Sequence, residues 1–343
     1  MAAASLTNPV YTVNIKKSDG TTYKVKDIVT DLVLSHGKDD LSEKAVMSLM
    51  NVSVGGNKIS TLVKLKDAVY IYANIGNGAE EVMRGIVWER APDEDIDQNM
   101  VPLICYDNLI YFQKSKDNFF AKKGKKTEDL LKSIAKKWGF SITFKYKSIS
   151  HGKLTFHNQY ISDIFISILD EVKKQTGTDY VIRSEKGKII IEAVGSNTTV
   201  YMLEEKKNVI SHSYKESMEG LVTKVLIVKA ETVSTGKGTE ETGKYLTVTS
   251  VSKNTAKYGT LQEVLVKGKE DKLSDVKKEA NQLLSDKATP KLEKELQAMD
   301  IPMLKKGHQV HINAGSSKGY FIVKAIEHDA DKNIMYLEVE KYE

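Results

Sequence analysis

The chain has 343 residues, enough for two or three domains with cores of their own, and 41% hydrophobic with 28% charged content excludes the disordered and collagen-like classes. Its formal net charge of +5 rests on lysine, because Arg84, Arg90 and Arg183 are the only arginines, which disfavours sequence-specific nucleic-acid binding through arginine forks. Cys105 has no partner for an intrachain disulfide, no segment approaches the roughly 18 apolar residues of a membrane span, and MAAASLTNPVYTV does not spell a secretory leader, so synthesis in a reducing cytoplasm is expected.

From Val10 to Asp107 short alternating runs, VYTVNI, TYKVKDIV, KAVMSLMNVSV, AVYIYANI, VMRGIVWE and VPLICYD, are separated by SDG, GGN, GNG and APDED. Period two bounded by turn residues predicts an antiparallel β-domain over 1–108, with KAVMSLM a strand despite its helical propensity. Residues 109–197 predict a small α/β domain. Thr127 is the expected cap of a helix with Leu130, Leu131, Ile134, Ala135 and Trp138 inward and Gly139 after it. Ser162 and Asp163 open a second helix that Gly177 closes, and DYVIRSE and KIIIEAV are strands. Residues 198–343 predict a second β-domain, with TVSTGKGTEETG near 231–244 a flexible hairpin tip. Within it, 272–287 is a helix and LEKELQAM a further helical piece, for a helical segment near 272–299.

The stretch IEHDADKN gathers His328, Asp329 and Asp331, residue types suited to a metal or to proton transfer. A weak internal repeat weighs against this. LKDAVYIYANIGNGAEEVMRGIVWERAPDEDIDQNMVPLICYD runs in the same order as LKKGHQVHINAGSSKGYFIVKAIEHDADKNIMYLEVEKYE, placing His328 opposite Arg90 and Asp329 to Asp331 opposite APDED. A turn tolerates such exchanges and a chemical site does not, so the stretch is expected to be a turn in which His328 and Asp331 are replaceable.

His308 and His311 are expected to be half-buried or solvated strand residues on opposite faces rather than ligands of one metal. Cys105, in an alternating apolar strand, is expected to be a buried structural thiol. Lys122, Lys123, Lys125 and Lys126, beside Phe119 and Phe120, could track a single strand of nucleic acid but suit a solvated basic loop better. The turn around Gly76 and Gly78 lacks the Gly-Lys-Ser/Thr of a phosphate loop. No catalytic, cofactor-binding or metal residue is therefore assigned, and no cofactor is expected.

YDNLIYF at the end of the first β-domain, TEDLLKSIAKKWGF after it, and KKEANQLL…MLKKGHQVHI…GYFIVKAIEHDADKNIMYLEVE are together similar to the baseplate hub proteins of contractile phage tails and phage-tail-like bacteriocins, the late control protein D family. The resemblance implies an α+β, mostly β fold: two tube-like antiparallel β-barrel or sandwich domains related by duplication, with a small α/β domain between them. It also implies a non-enzymatic homotrimer that adapts a sixfold tail tube protein to a trimeric central spike protein, beside baseplate wedge and LysM-like tail proteins, in a particle released by lysis. Larger hubs carry an extra small domain where this chain has only TVSTGKGTEETG, and the spike is expected to be a separate polypeptide. The enzymatic alternative is a tail-associated peptidoglycan hydrolase, for which no Cys, Glu or Asp stands in a recognisable context.

Overall fold

The computed structural model of the chain describes residues 8–91, 99–145, 147–235, 238–268 and 271–342. They form two compact units, one reaching Ser213 and resuming at Lys294, the other Tyr214–Glu293. The fold is mostly β, as expected.

A thirteen-stranded sheet dominates the first unit. Its first module comprises Val10–Lys16, Val29–His36, Lys44–Met50, Ala68–Asn74, Ala79–Arg90 and Met100–Asp107, with antiparallel neighbours throughout. Alternation decides which face is covered: Ala45, Met47 and Leu49 point inward from one strand, and Val69, Ile71 and Ala73 from another. Each fully buried Leu, Ile or Met contributes about 1.5–3 kcal/mol, enough to hold KAVMSLM as a strand against its helical propensity.

The second module comprises Tyr201–Glu204, Val209–Ser217, Lys291–Met299, Gln309–Ala314, Ser317–Asp329 and Ile334–Lys341. Its three C-terminal strands form an antiparallel meander like that of Ala68–Asn74, Ala79–Arg90 and Met100–Asp107. The segment LEKELQAM is a strand here, not a helix. It pairs antiparallel with Ile334–Lys341 and turns Lys294, Leu296 and Ala298 inward, the Lys294 ammonium lying 5.0 Å from the centre of the Phe321 ring. Long side chains suit either periodicity, and the neighbouring strand selected period two.

Bulges fix the equivalence of the two meanders. One residue is extra between Val87 and Glu89 and one between Val323 and Ala325, so Val87 corresponds to Val323 and Cys105 to Val339. Upstream, Lys66 N and Gly307 N each donate to that valine's carbonyl, and both residues have positive φ, 70° and 83°. The true offset is therefore two residues from the one the repeated Leu-Lys suggests, and Arg90 lies opposite Ile326 rather than His328.

Strand order agrees further out. Lys44–Met50 and then Val29–His36 flank the first meander, and Lys291–Met299 and then Val209–Ser217 flank the second. Ser211 bonds Gln297 at 3.1 Å and Ser213 bonds Glu295 at 3.4 Å, stepping in opposite directions as antiparallel neighbours do. The modules differ at their first strand: Val10–Lys16 joins its meander antiparallel, Tyr201–Glu204 joins parallel.

Between the modules, the helices Thr127–Lys137 and Ile161–Thr176 pack with Tyr180–Glu185 and Lys188–Ala193 around Phe112, Leu131, Phe165, Ile168 and Ile191. Gly177, at φ 73°, ends the second helix as expected. Thr127 does not cap the first: it is the first helical residue, and its hydroxyl lies 2.8 Å from His151 Nε2.

The second unit corrects the expected plan. It is inserted where the first module has only the short connection between Val29–His36 and Lys44–Met50. Its sheet of Lys224–Thr235, Gly238–Ser252 and Gln262–Lys267 packs on the helix Leu273–Lys287 through Val225, Ile227, Val276, Ala280 and Leu284. A small unit with its own core is thus present, and TVSTGKGTEETG belongs to its long hairpin. Residues 236–237 at the expected tip, and 92–98, which include most of the APDED turn, lie outside the described residues.

Candidate functional site

The chain's two modules meet edge to edge. Ile326, Glu327, His328 and Asp329 pair antiparallel with His36, Ser35, Leu34 and Val33, so a single sheet runs through both. The side chains of His328, Tyr11, Lys305 and Lys306 reinforce that seam. His328, 2% exposed, presents Nδ1 to Asp300 Oδ1 at 2.6 Å and Nε2 to the Leu304 carbonyl at 3.2 Å. Tyr11, on the first module, donates its hydroxyl to the other oxygen of Asp300, and burial, then the Asp300 charge, raises its pKa. Lys305 donates to Glu43 Oε1 and to the Val82 carbonyl, each at 2.8 Å. Lys306 donates to the carbonyls of Gly37, Lys38 and Asp40 at 2.7–2.8 Å, and burial lowers its pKa to about 8.

His328 is thus no turn residue. It sits inside Ser317–Asp329, facing the core, because the strand continues through Asp329 into the stretch expected to be a turn. Asp329 and Asp331 do serve the turn that follows: Asp329 accepts from Lys332 N at 3.1 Å, and Asp331 accepts from Asp31 N of the first module at 2.6 Å. The expected turn thus includes Asp329 and Asp331 but not His328. Arg90 plays a related part in the first module, donating to the carbonyls of Ser60 and Val63, the latter equivalent to Leu304.

His308 lies just before Gln309–Ala314, while His311, on that strand, meets the Tyr320 ring edge to face at 5.0 Å. Burial, then the Arg183 charge, lowers the His308 pKa to about 3, and burial, then Lys306, lowers that of His36 to about 3. Both imidazoles are neutral in the fold, whereas an unfolded histidine titrates near 6.5. As pH falls below about 6.5 the unfolded chain takes up protons that the fold refuses, so each histidine removes stability between about pH 6.5 and 3, at up to about 1.4 kcal/mol per pH unit. Burial raises the Asp107 carboxyl, which acts with the opposite sign. The check is therefore a difference: in urea titrations, His36→Gln, which can still donate to the Asp40 carbonyl, should show a shallower loss of stability from pH 6.5 to 4.5 than the native chain.

Cys105 is fully buried within Met100–Asp107, and burial pushes its thiol up to about 12. That is the environment of an inert thiol. Lys122, Lys123, Lys125 and Lys126 are exposed on a loop whose backbone is tied to His151 by Gly124 N at 2.9 Å and by His151 N to Lys125 O at 2.9 Å. Phe119 turns in and stacks on Phe156, while Phe120 is exposed with the Lys153 ammonium 5.7 Å from its ring centre. No run of parallel aromatic faces accompanies the lysines there. Gly76 and Gly78 occupy the turn between Ala68–Asn74 and Ala79–Arg90, both at positive φ.

One arrangement escaped the sequence. Thr127 Oγ1 lies 2.8 Å from His151 Nε2, and His151 Nδ1 lies 2.7 Å from Glu171 Oε2, the order of a hydroxyl nucleophile, base and orienting acid. Thr127 is 0% and His151 1% exposed, so a substrate carbonyl cannot reach the hydroxyl, which also accepts from Ile149 N at 3.2 Å. The trio closes the loop of residues 149–151 onto the two helices. Its separations of 24 and 20 residues carry no local signal. Among the described residues no group of three or more His, Cys, Asp or Glu is placed to hold a metal ion, and no helix is long and apolar enough to cross a membrane.

The family described as YQBQ-like matches residues 53–340. The chain belongs to the YQBQ-like family. The phage-like element PBSX protein XkdQ of Bacillus subtilis (strain 168) is 27% identical over 253 residues, covering 71% of this chain and 72% of that protein. Among solved structures, the 43 kDa tail protein of prophage MuSo2 from Shewanella oneidensis matches with a TM-score of 0.67 at 12% identity, over 97% of this chain and 98% of that one. The tail protein from Neisseria meningitidis MC58 matches with a TM-score of 0.68 at 12% identity, over 98% and 97%. This YQBQ-like chain therefore has the fold of phage tail proteins.

Proposed function

We propose that this chain is the structural hub of a contractile-tail baseplate, in a phage or a phage-tail-like particle such as a bacteriocin. It would be a non-enzymatic homotrimer of the late control protein D type, joining a sixfold tail tube protein to a trimeric central spike protein beside wedge and LysM-like tail proteins. Likeness to tail proteins supports the setting, and fold alone does not fix the role.

The observation that carries the reading is the pair of modules with equivalent meanders and flanking strands, fused through one seam. Two such modules per chain let three chains present six similar surfaces to a sixfold tube while keeping threefold symmetry toward a spike. Synthesis in the cytoplasm and release by lysis belong to the same proposal. A reconstruction of the intact tail tip tests it: three copies with six alternating modules around one channel are expected. Six copies per ring, or absence of the chain from the tip, would overturn it.

A further inference from the structure

The positive charge of this chain is concentrated in one stretch. Residues 114–153 hold twelve lysines against three carboxylates, a net +9 in a chain whose total is +5, so the remaining residues together are net negative. Two of those three carboxylates are engaged by lysines of the helix Thr127–Lys137: Glu128 pairs with Lys132, and Asp117 with Lys137 at 2.6 Å. Lys122, Lys123, Lys125, Lys126, Lys147 and Lys153 are exposed, and among the described residues none of the six forms an ion pair.

The backbone holds these six together. Lys116–Ala121 and Leu154–Tyr160 pair antiparallel as far as Ala121 beside Leu154, and the two segments stay side by side beyond that point. Gly124 N donates to the His151 carbonyl at 2.9 Å, His151 N to that of Lys125 at 2.9 Å, and Thr127 N to that of Ile149 at 3.1 Å, while Lys126 bridges Ser150. The buried His151 side chain then ties Thr127 on one segment to Glu171 on the helix Ile161–Thr176. Like charges are therefore fixed close to one another and cannot relieve their repulsion by separating. A bound polyanion relieves it.

The composition of the face selects the polyanion. Residues 114–153 contain no arginine, the residue that clamps carboxylates with a bidentate fork, and protein interfaces are enriched in arginine and aromatics but depleted in lysine. A single strand of nucleic acid needs successive aromatic platforms, whereas Phe120 stands alone beside these lysines with the Lys153 ammonium 5.7 Å from its ring centre. Lysine point charges without a fork or a stacking platform suit phosphates in a regular row. We infer that this face binds the phosphate backbone of duplex DNA without regard to base sequence. The inference does not depend on the hub reading, because the face lies within the α/β domain of a single chain.

Fluorescence anisotropy with the full chain and short labelled duplexes of two unrelated sequences tests it. Both duplexes should bind equally at low salt, with a slope of log K against log salt of about −3.5 to −5.5, as four to six neutralised phosphates require. K122Q/K123Q/K125Q/K126Q should weaken binding by about tenfold or more and make that slope shallower by about 3–4. K272Q/K277Q/K278Q/K287Q, at and along the helix Leu273–Lys287, removes the same charge elsewhere and should change affinity by less than about threefold. All eight side chains are exposed, so both variants should unfold in urea at the native midpoint. Equal weakening by the two variants, or no binding at low salt, would overturn the inference. Poly-glutamate that binds the native chain more tightly than the duplexes, and is lost with the first variant, would overturn DNA in favour of an acidic protein partner.

Discussion

Replacing His328 with Ala is expected to lower the stability of the first unit by about 3–5 kcal/mol, the usual cost of leaving a buried carboxylate without its partner. Asp300 is buried, and its two oxygens bond Tyr11 and His328, so the substitution leaves one oxygen of a buried carboxylate facing a cavity. The Leu304 carbonyl loses its donor as well. Urea unfolding at neutral pH measures the loss. Adding Asp300→Asn to His328→Ala should recover part of it, because the remaining group no longer has a charge to desolvate. By contrast, Asp331→Asn should cost less than about 1 kcal/mol, since the amide oxygen can still accept from Asp31 N at an exposed turn. A tolerated His328→Ala would show that the module seam does not depend on this cluster.

The mostly β class, the helices near 127–137 and 161–176, and the duplicated meander were legible because each is a local rhythm. Period two marks VYTVNI and VPLICYD, and period 3.6 with a glycine after the last turn marks the helices. What was hidden depends on distant chain. LEKELQAM is spelled for either period, and only its pairing with Ile334–Lys341 settles which. The repeated Leu-Lys suggested an offset wrong by two, because bulges at Trp88 and Lys324 and the positive φ of Lys66 and Gly307, not residue identity, hold the modules in register. The 214–293 unit was read as part of the second β-domain, because its strands share the period of their neighbours and nothing local marks a core of its own. His328 was assigned to a turn because its partner, Asp300, is 28 residues away in a segment without any motif. No residue of the seam could be chosen from sequence alone, since every contact in it joins segments that spacing does not relate.

Gly307 and Lys66 occupy equivalent positions with the same left-handed backbone, yet they should respond oppositely to substitution. At Gly307, with φ 83°, a Cβ would lie 2.7 Å from Val181 Cγ1, on a strand of the α/β domain. Gly307→Ala therefore combines a left-handed penalty of about 1–2 kcal/mol with overpacking of about 1–3 kcal/mol, for a loss of about 2–5 kcal/mol in urea unfolding. Lys66, at φ 70°, already bears the backbone penalty, so Lys66→Gly should gain up to about 1 kcal/mol. Val181→Ala combined with Gly307→Ala separates the two causes: the overpacking part should be relieved in part, since both methyls go while the Val181 Cβ, 2.8 Å from the added Cβ, stays, and the backbone part remains. The seam adds a consequence at the next residues, because Lys305 and Lys306 reach Glu43, Val82 and the 37–40 turn from a backbone fixed by Gly307. Gly307→Ala should thus also speed hydrogen exchange at His36, Leu34 and Val33, the residues paired with Ile326–Asp329. A loss of stability without faster exchange there would mean that the α/β domain, and not the seam between the modules, bears the strain.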